Sequence, residues 1–155
     1  MKQISRKQLD DLARQAQASP RRRANLNLHP QLSDTVQRFA VAMEPDTYVR
    51  PHRHPHTWEM LYPLRGRFVV LHFDDAGTVT ARCVLGEDCA VVEQAAGQWH
   101  AVLSLDPGGV IFETKLGPYT PLHEGDYAAW SSADGRAEFA WFASARVGDK
   151  APGGI

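Results

Sequence analysis

At 155 residues, 43% of them hydrophobic and 23% charged, the chain has the size of one domain with a buried core and the makeup of an ordinary globular protein. Its 17 basic and 18 acidic residues leave a formal charge of -1, so no global field draws in DNA or RNA, and the basic cluster Arg21-Arg22-Arg23 has no stacking aromatics beside it. No apolar run nears the roughly 18 residues a membrane span needs. Nucleic acid and membrane are therefore set aside as partners, and the polar start MKQISRKQLDD makes the cytoplasm the expected location.

In chain order, Ser5 can cap a helix, with Gln8 placed for a capping box and Ile4 for a staple against Leu9. Leu9, Leu12, Ala13 and Ala16 form one apolar stripe at helical spacing, and the helix should stop at Ser19-Pro20. From Leu26 the pattern changes. VQRFAVAM, RFVVLHF, TVTARCVL, AVLSL and VIFETKL read as strands, separated by turns such as FDDAGTV, EQAAG, DPGG and LGPYTP. YAAWSS and EFAWFASA add apolar segments of the same character, and GDKAPGGI reads as a disordered tail. The expected fold class is mainly β: a single jelly-roll-like antiparallel barrel over residues 25–145, preceded by a helix and arm over 1–24 and followed by a tail over 146–155. Cys83 and Cys89 fit neither a C-x-x-C redox pair nor a zinc knuckle and read as reduced and structural.

The stretch RPHRHPHTWE carries the chemistry. On extended backbone His52 and His54 project to one side and could hold one ion between them, with Arg53 outside. Glu59 could add an oxygen ligand, and His100, opening a strand after the turn at Gly97, would sit at a barrel rim. Neutral imidazoles and a carboxylate suit Zn, Fe(II), Mn or Ni, and the absence of thiolates argues against a closed structural zinc. Four protein ligands would leave a position open on an ion that can take five or six.

The other polar residues have two readings each. His56 shares parity with His52 and His54, but Pro55 and the coming turn break it, so His56 ligates, lines the site or faces solvent. His72 shares a face with Phe68 and Val70 and reads as a satisfied or surface histidine; His123 falls in a loop. Arg50 points with His52 and either grips a ligand's carboxylate or phosphate or pairs with an acid at the rim. Lys115 and Tyr119 reach a substrate or serve as anchors. Trp58, Trp99 and Trp130 read as core.

The arrangement His52-x-His54, four residues, Glu59, six residues, Gly66, and later Gly97-x-x-His100 resembles the two motifs of the cupin superfamily, small antiparallel barrels that bind a metal with three histidines and a glutamate. Ala95 stands where that pattern usually has proline, and no asparagine follows His100 at the usual place. These departures fall on the turn more than on the ligands. SPRRRANLNLHP, VQRFAVAMEPDTYVRPHRH, GRFVVLHFDDAGTV, AAGQWHAVLSLDPGGVIFETKLGPYTP and YAAW together resemble the WbuC-type family of cupin-fold metalloproteins, encoded in some bacterial O-antigen gene clusters and elsewhere. The resemblance implies one divalent metal, Zn or Fe first, held by His52, His54, Glu59 and His100. It also extends over Asn25, Asn27 and His29, an arm that either folds over the barrel mouth or is purely structural.

Three functions fit. One is a metal-dependent isomerase or lyase acting on a small polar molecule, a sugar or keto acid, with metal-bound hydroxide, His56 or Tyr119 as the available bases. The second is a binding or sensing module without turnover. The third is an Fe(II) dioxygenase. A homodimer through a sheet edge is expected.

Overall fold

The structure is a computed structural model describing residues 1–135 and 138–153. Helix α1 (Arg6–Ala18) starts at the expected capping box. The Ser5 hydroxyl accepts the Gln8 N–H at 3.2 Å, and the Gln8 side chain accepts the Ser5 N–H at 2.9 Å. Its apolar stripe of Leu9, Leu12, Ala13 and Ala16 is buried, and the chain leaves the helix at Ser19 before Pro20.

Among the described residues eight strands follow: β1 (Arg23–Asn27), β2 (Val36–Met43), β3 (Glu59–Arg65), β4 (Phe68–Phe73), β5 (Val79–Leu85), β6 (Val92–Gln94), β7 (Trp99–Ser104) and β8 (Gly109–Leu116). They form a five-stranded sheet in the order β1-β2-β8-β3-β6 and a three-stranded sheet in the order β5-β4-β7. Every ladder is antiparallel. The mainly β class with an N-terminal helix is as expected, but β1, β3 and β6 add strands to those the pattern announces. In β3, Pro63 breaks the run, and the pairing to β8 shifts register between Pro63 and Arg65, which is how a proline is accommodated inside a sheet.

Three apolar layers hold this together. Between the sheets lie Val41, Met43, Leu61, Phe68, Val70, Leu85 and Ile111, contributed by both. Outside the larger sheet, α1 packs Leu9, Leu12 and Ala16 on Ala40, Ala42, Val110 and Phe112. Outside the smaller sheet, Val69, Leu71, Phe73, Val79, Ala101 and Leu103 are covered by the C-terminal segment through Ala128, Trp130, Phe142, Ala145 and Ala151. Strand β4 is thus covered on both faces, which explains why FVVLHF is nearly continuous in apolar residues.

That outer cover corrects two expectations. Phe139–Ser144, within EFAWFASA, is a short helix, α2, because its aromatics pack one face against the smaller sheet rather than pairing as a strand. The segment after Ala145 is not a disordered tail over its described part. Val79 N–H donates to Asp149 O at 2.9 Å, Gly148 N–H to Val79 O at 2.9 Å and Ala151 N–H to Gly77 O at 2.9 Å, and Ala151 is buried. Among the described residues no helix is long and apolar enough to cross a membrane. Cys83 and Cys89 are not disulfide-bonded, and burial followed by contact with Cys89 pushes the Cys83 thiol up to about 12.

Candidate metal centre

Residues 50–58 form no regular strand, because Pro51 and Pro55 lack the N–H groups a ladder needs. The segment is fixed instead by single bridges. His52 N–H donates to His100 O at 3.1 Å, and His100 N–H donates to His52 O at 2.9 Å. On the other side, Arg53 N–H donates to Asp126 O and Ala128 N–H to Pro51 O, both at 2.9 Å. Gly97, at φ 80° where a side chain would be strained, donates its N–H to His54 O at 2.9 Å and so ties the turn before His100 to the histidine segment. Local extended geometry therefore suffices to send His52 and His54 the same way without a full strand.

The result is a cluster of three imidazoles. One ring nitrogen from each of His52, His54 and His100 lies within 4.8 Å of the other two. The ring centroids are 4.4 Å apart for His52 and His100, 5.0 Å for His52 and His54, and 5.6 Å for His54 and His100. His52 Nδ1 is 2.9 Å from the Arg50 carbonyl oxygen, and His100 Nδ1 is 2.9 Å from that of Gln98. A carbonyl only accepts, so each Nδ1 carries the proton and each Nε2 offers a lone pair, the orientation found in metal-ligating histidines. Burial, then the neighbouring His100 and His54, pushes the His52 pKa well below its ordinary value, which keeps that ring neutral.

Glu59 borders the cluster and is only 4% exposed. Register explains its setting, because Gln94 on β6 and Lys115 on β8 are its direct cross-strand partners and share its inward face. Gln94 Nε2 donates to Oε2 and Lys115 Nζ to Oε1, each at 2.9 Å. The same oxygens lie 3.4 Å from His100 Nε2 and His54 Nε2 respectively. Burial pushes the Glu59 carboxyl up, but the Lys115 ammonium, His100 and His54 outweigh it and hold the group well below the usual carboxylate range.

A divalent ion fits this donor set. The Nε2 atoms of His54 and His100 are buried without a hydrogen-bond partner, a costly state unless something occupies them. The Glu59 oxygens, 3.4 Å from Nε2 of both His54 and His100, are near enough to share one ion with them.

The cluster stands in a cavity of about 900 Å³, of a size that takes a small molecule. Of the residues singled out above for the substrate side, Arg50, His56, Lys115 and Tyr119 line it, whereas Asn27 and His29 do not. His29 is buried against β2, its Nδ1 2.9 Å from Arg38 O and its ring edge-on to Phe39, and Asn27 is an exposed position on β1. The arm thus supplies β1, an edge strand of the larger sheet, and Asn25 is its asparagine that lines the cavity. Arg50 takes the rim-pairing alternative: its guanidinium donates to Ser131 Oγ, Glu124 Oε1 and Ala128 O and lies 5.2 Å from the Tyr127 ring centre. Tyr119 is 52% exposed, and His56 sits in the exposed turn after Pro55. His72 faces His100 across the β4–β7 ladder, outside the three-histidine cluster.

Gln94 and Glu113 belong to this site although neither carries a motif. Burial first, and then the Glu59 charge, pushes the Glu113 carboxyl up to about 8. Parity on β8 could have indicated it, since Ile111, Glu113 and Lys115 alternate along one face.

The chain is similar in structure to TT1209 from Thermus thermophilus, with a TM-score of 0.55 and 18% identity over 75% of this chain and 97% of that one. It is also similar to the DMSP lyase DddQ from Ruegeria pomeroyi DSS-3, with a TM-score of 0.53 and 21% identity over 67% and 52%. An oxalate oxidase in complex with glycolate gives 0.52 and 17% over 66% and 55%. These likenesses show a cupin fold. Comparison with curated protein sequences gives no match. A family model described as a domain of unknown function, DUF6016, matches residues 4–85, more than half of the chain. The chain thus belongs to the DUF6016 family and carries a cupin fold.

Proposed function

We propose that the chain is a metal-dependent cupin in which His52, His54 and His100, with Glu59 as fourth donor, hold one divalent ion, zinc or iron first, and that the cavity takes a small polar molecule. The observation that carries this is the orientation of the histidines: Nδ1 of His52 and His100 is committed to backbone carbonyls, while Nε2 of His54 and His100 is buried with no partner. When bound, such an ion supplies Lewis acidity for a carbonyl or hydroxyl oxygen. Around it, Lys115 and Gln94 orient the Glu59 carboxylate, and the apolar residues below shut out water from beneath.

A sugar or keto acid is the ligand class this reading favours. The resemblance to WbuC-type proteins, with their association with O-antigen gene clusters, supports a carbohydrate link. The fold is shared with a lyase and with an oxidase, so it is compatible with either chemistry.

Metal analysis of purified protein by plasma mass spectrometry tests the centre. One equivalent of metal per chain, removed by a chelator with a drop in melting temperature and restored by zinc or iron, is the expected result. No uptake of any divalent ion by stripped wild type, or full occupancy in His54→Ala, overturns it.

A further inference from the structure

The cations around the cavity are not equivalent. Arg50 is held by Ser131, Glu124 and the Ala128 carbonyl, and Lys115 by Glu59. Arg22, on the same N-terminal arm, turns away to Asp46. Arg23 lines the cavity and is half-buried, yet among the described residues neither a hydrogen bond nor an ion pair reaches its guanidinium.

Its direction follows from register. Arg23 pairs with Met43 and Asn25 with Val41, and directly paired residues share a face. Met43 and Val41 pack between the sheets, so Arg23 and Asn25 point to that interior side, at its open end. Burial first, and then the like charge of Arg21, lowers the Arg23 pKa, while Glu113 and Tyr127 raise it. An arginine stays charged there, and this one faces the cavity with no protein acceptor on its guanidinium among the described residues. Arg21 also lines the cavity and extends the positive rim.

We infer that the ligand of this cavity carries an acidic oxygen group, a carboxylate or phosphate, which Arg23 grips with Asn25 beside it. A guanidinium fork matches either group with two parallel N–H···O bonds. The cavity volume of about 900 Å³ suits a small molecule. The inference rests on the proposed metal centre for the ligand's place in the cavity, while the grip itself is a property of the β1 side.

Calorimetric titration tests it, with inorganic phosphate and succinate as separate probes on zinc-loaded and on metal-stripped protein. Arg23→Gln should weaken binding of the favoured probe by about tenfold or more in both forms, with zinc content unchanged. Arg23→Lys and Asn25→Ala should weaken it less, and Arg82→Gln, an exposed position on β5, should not. Binding of phosphate alone assigns a phosphate-bearing ligand, and binding of succinate alone a carboxylic acid; both support the grip. Equal binding by Arg23→Gln and wild type, or no binding of either probe by wild type in either form, overturns it. Failure of the metal reading would show separately, as absence of zinc uptake with the stripped-protein titrations still readable.

Discussion

The two ends of the space between the sheets are built from the same strands and the same side-chain parity, yet one end is core and the other is chemistry. On β8 the inward face runs from Ile111 through Glu113 to Lys115, on β3 from Leu61 to Glu59, and on β7 from Ser104 through Val102 to His100. At the closed end Leu61, Phe68, Leu85 and Ile111 are fully buried among apolar neighbours. At the open end Glu59 and His100 are buried almost as deeply but among charges and imidazoles. Burial by itself therefore does not mark core in this fold. Position along the strand decides whether a buried inward residue contributes packing or holds a ligand.

The sharpest way to break that comparison is to truncate one residue from each end. Phe68→Ala should cost about 3–5 kcal/mol in urea denaturation, with metal bound per folded molecule unchanged. His54→Ala should do the reverse, losing the metal while leaving metal-free stability nearly intact. Equal destabilisation of the metal-free protein by both variants would mean that the open end is packing as well.

Next in size is Lys115→Met. Its ammonium is the cation against Glu59, and removing one partner of a buried pair costs about 3 kcal/mol. The loss should be smaller in metal-loaded protein, where another cation faces the same carboxylate.

The pH dependence of metal-free protein sharpens the contrast further. Glu113 titrates near 8 when folded against an ordinary 4.5, so between those values the folded state binds the extra proton. Its contribution is present below about 4.5 and is lost as pH rises through 8. His52 acts on the opposite side: its depressed folded pKa means that the unfolded state takes up the proton first, so stability falls as pH drops below about 6.5. Between about 4.5 and 6.5 the two slopes oppose each other, so melting temperatures should fall above about 6.5 and below about 4.5, and Glu113→Gln should flatten the alkaline limb and steepen the acid one. The smallest effect belongs to His72→Ala, which should leave metal occupancy unchanged and alter stability by about 1 kcal/mol.

How much of this the sequence carried depended on distance along the chain. The α1 capping box, the run of strands and the shared side of His52 and His54 rest on local geometry and were legible. His100 could be picked out by its glycine turn. Gln94 and Lys115 flank Glu59 only through the register of β6-β3-β8, which no local pattern encodes. Arg50 faced the site by parity, but its partners Glu124, Ala128 and Ser131 come from a segment more than seventy residues away. Arg23 stands in a basic cluster that the sequence sets aside for lack of stacking aromatics, and only the pairing of β1 with β2 turns alternate residues of the arm inward. YAAWSS and EFAWFASA read like further strands because their apolar residues are there to cover the smaller sheet, and only that packing decides their form.

The central claim is that three imidazoles from two separate segments share one ion. A crystal of metal-loaded protein, with diffraction recorded on either side of the metal's absorption edge, tests it most directly. The account predicts one strong anomalous peak per chain, bounded by Nε2 of His52, His54 and His100 with a Glu59 oxygen beside it. A peak held by other residues, or none from protein that carries stoichiometric metal, would contradict it.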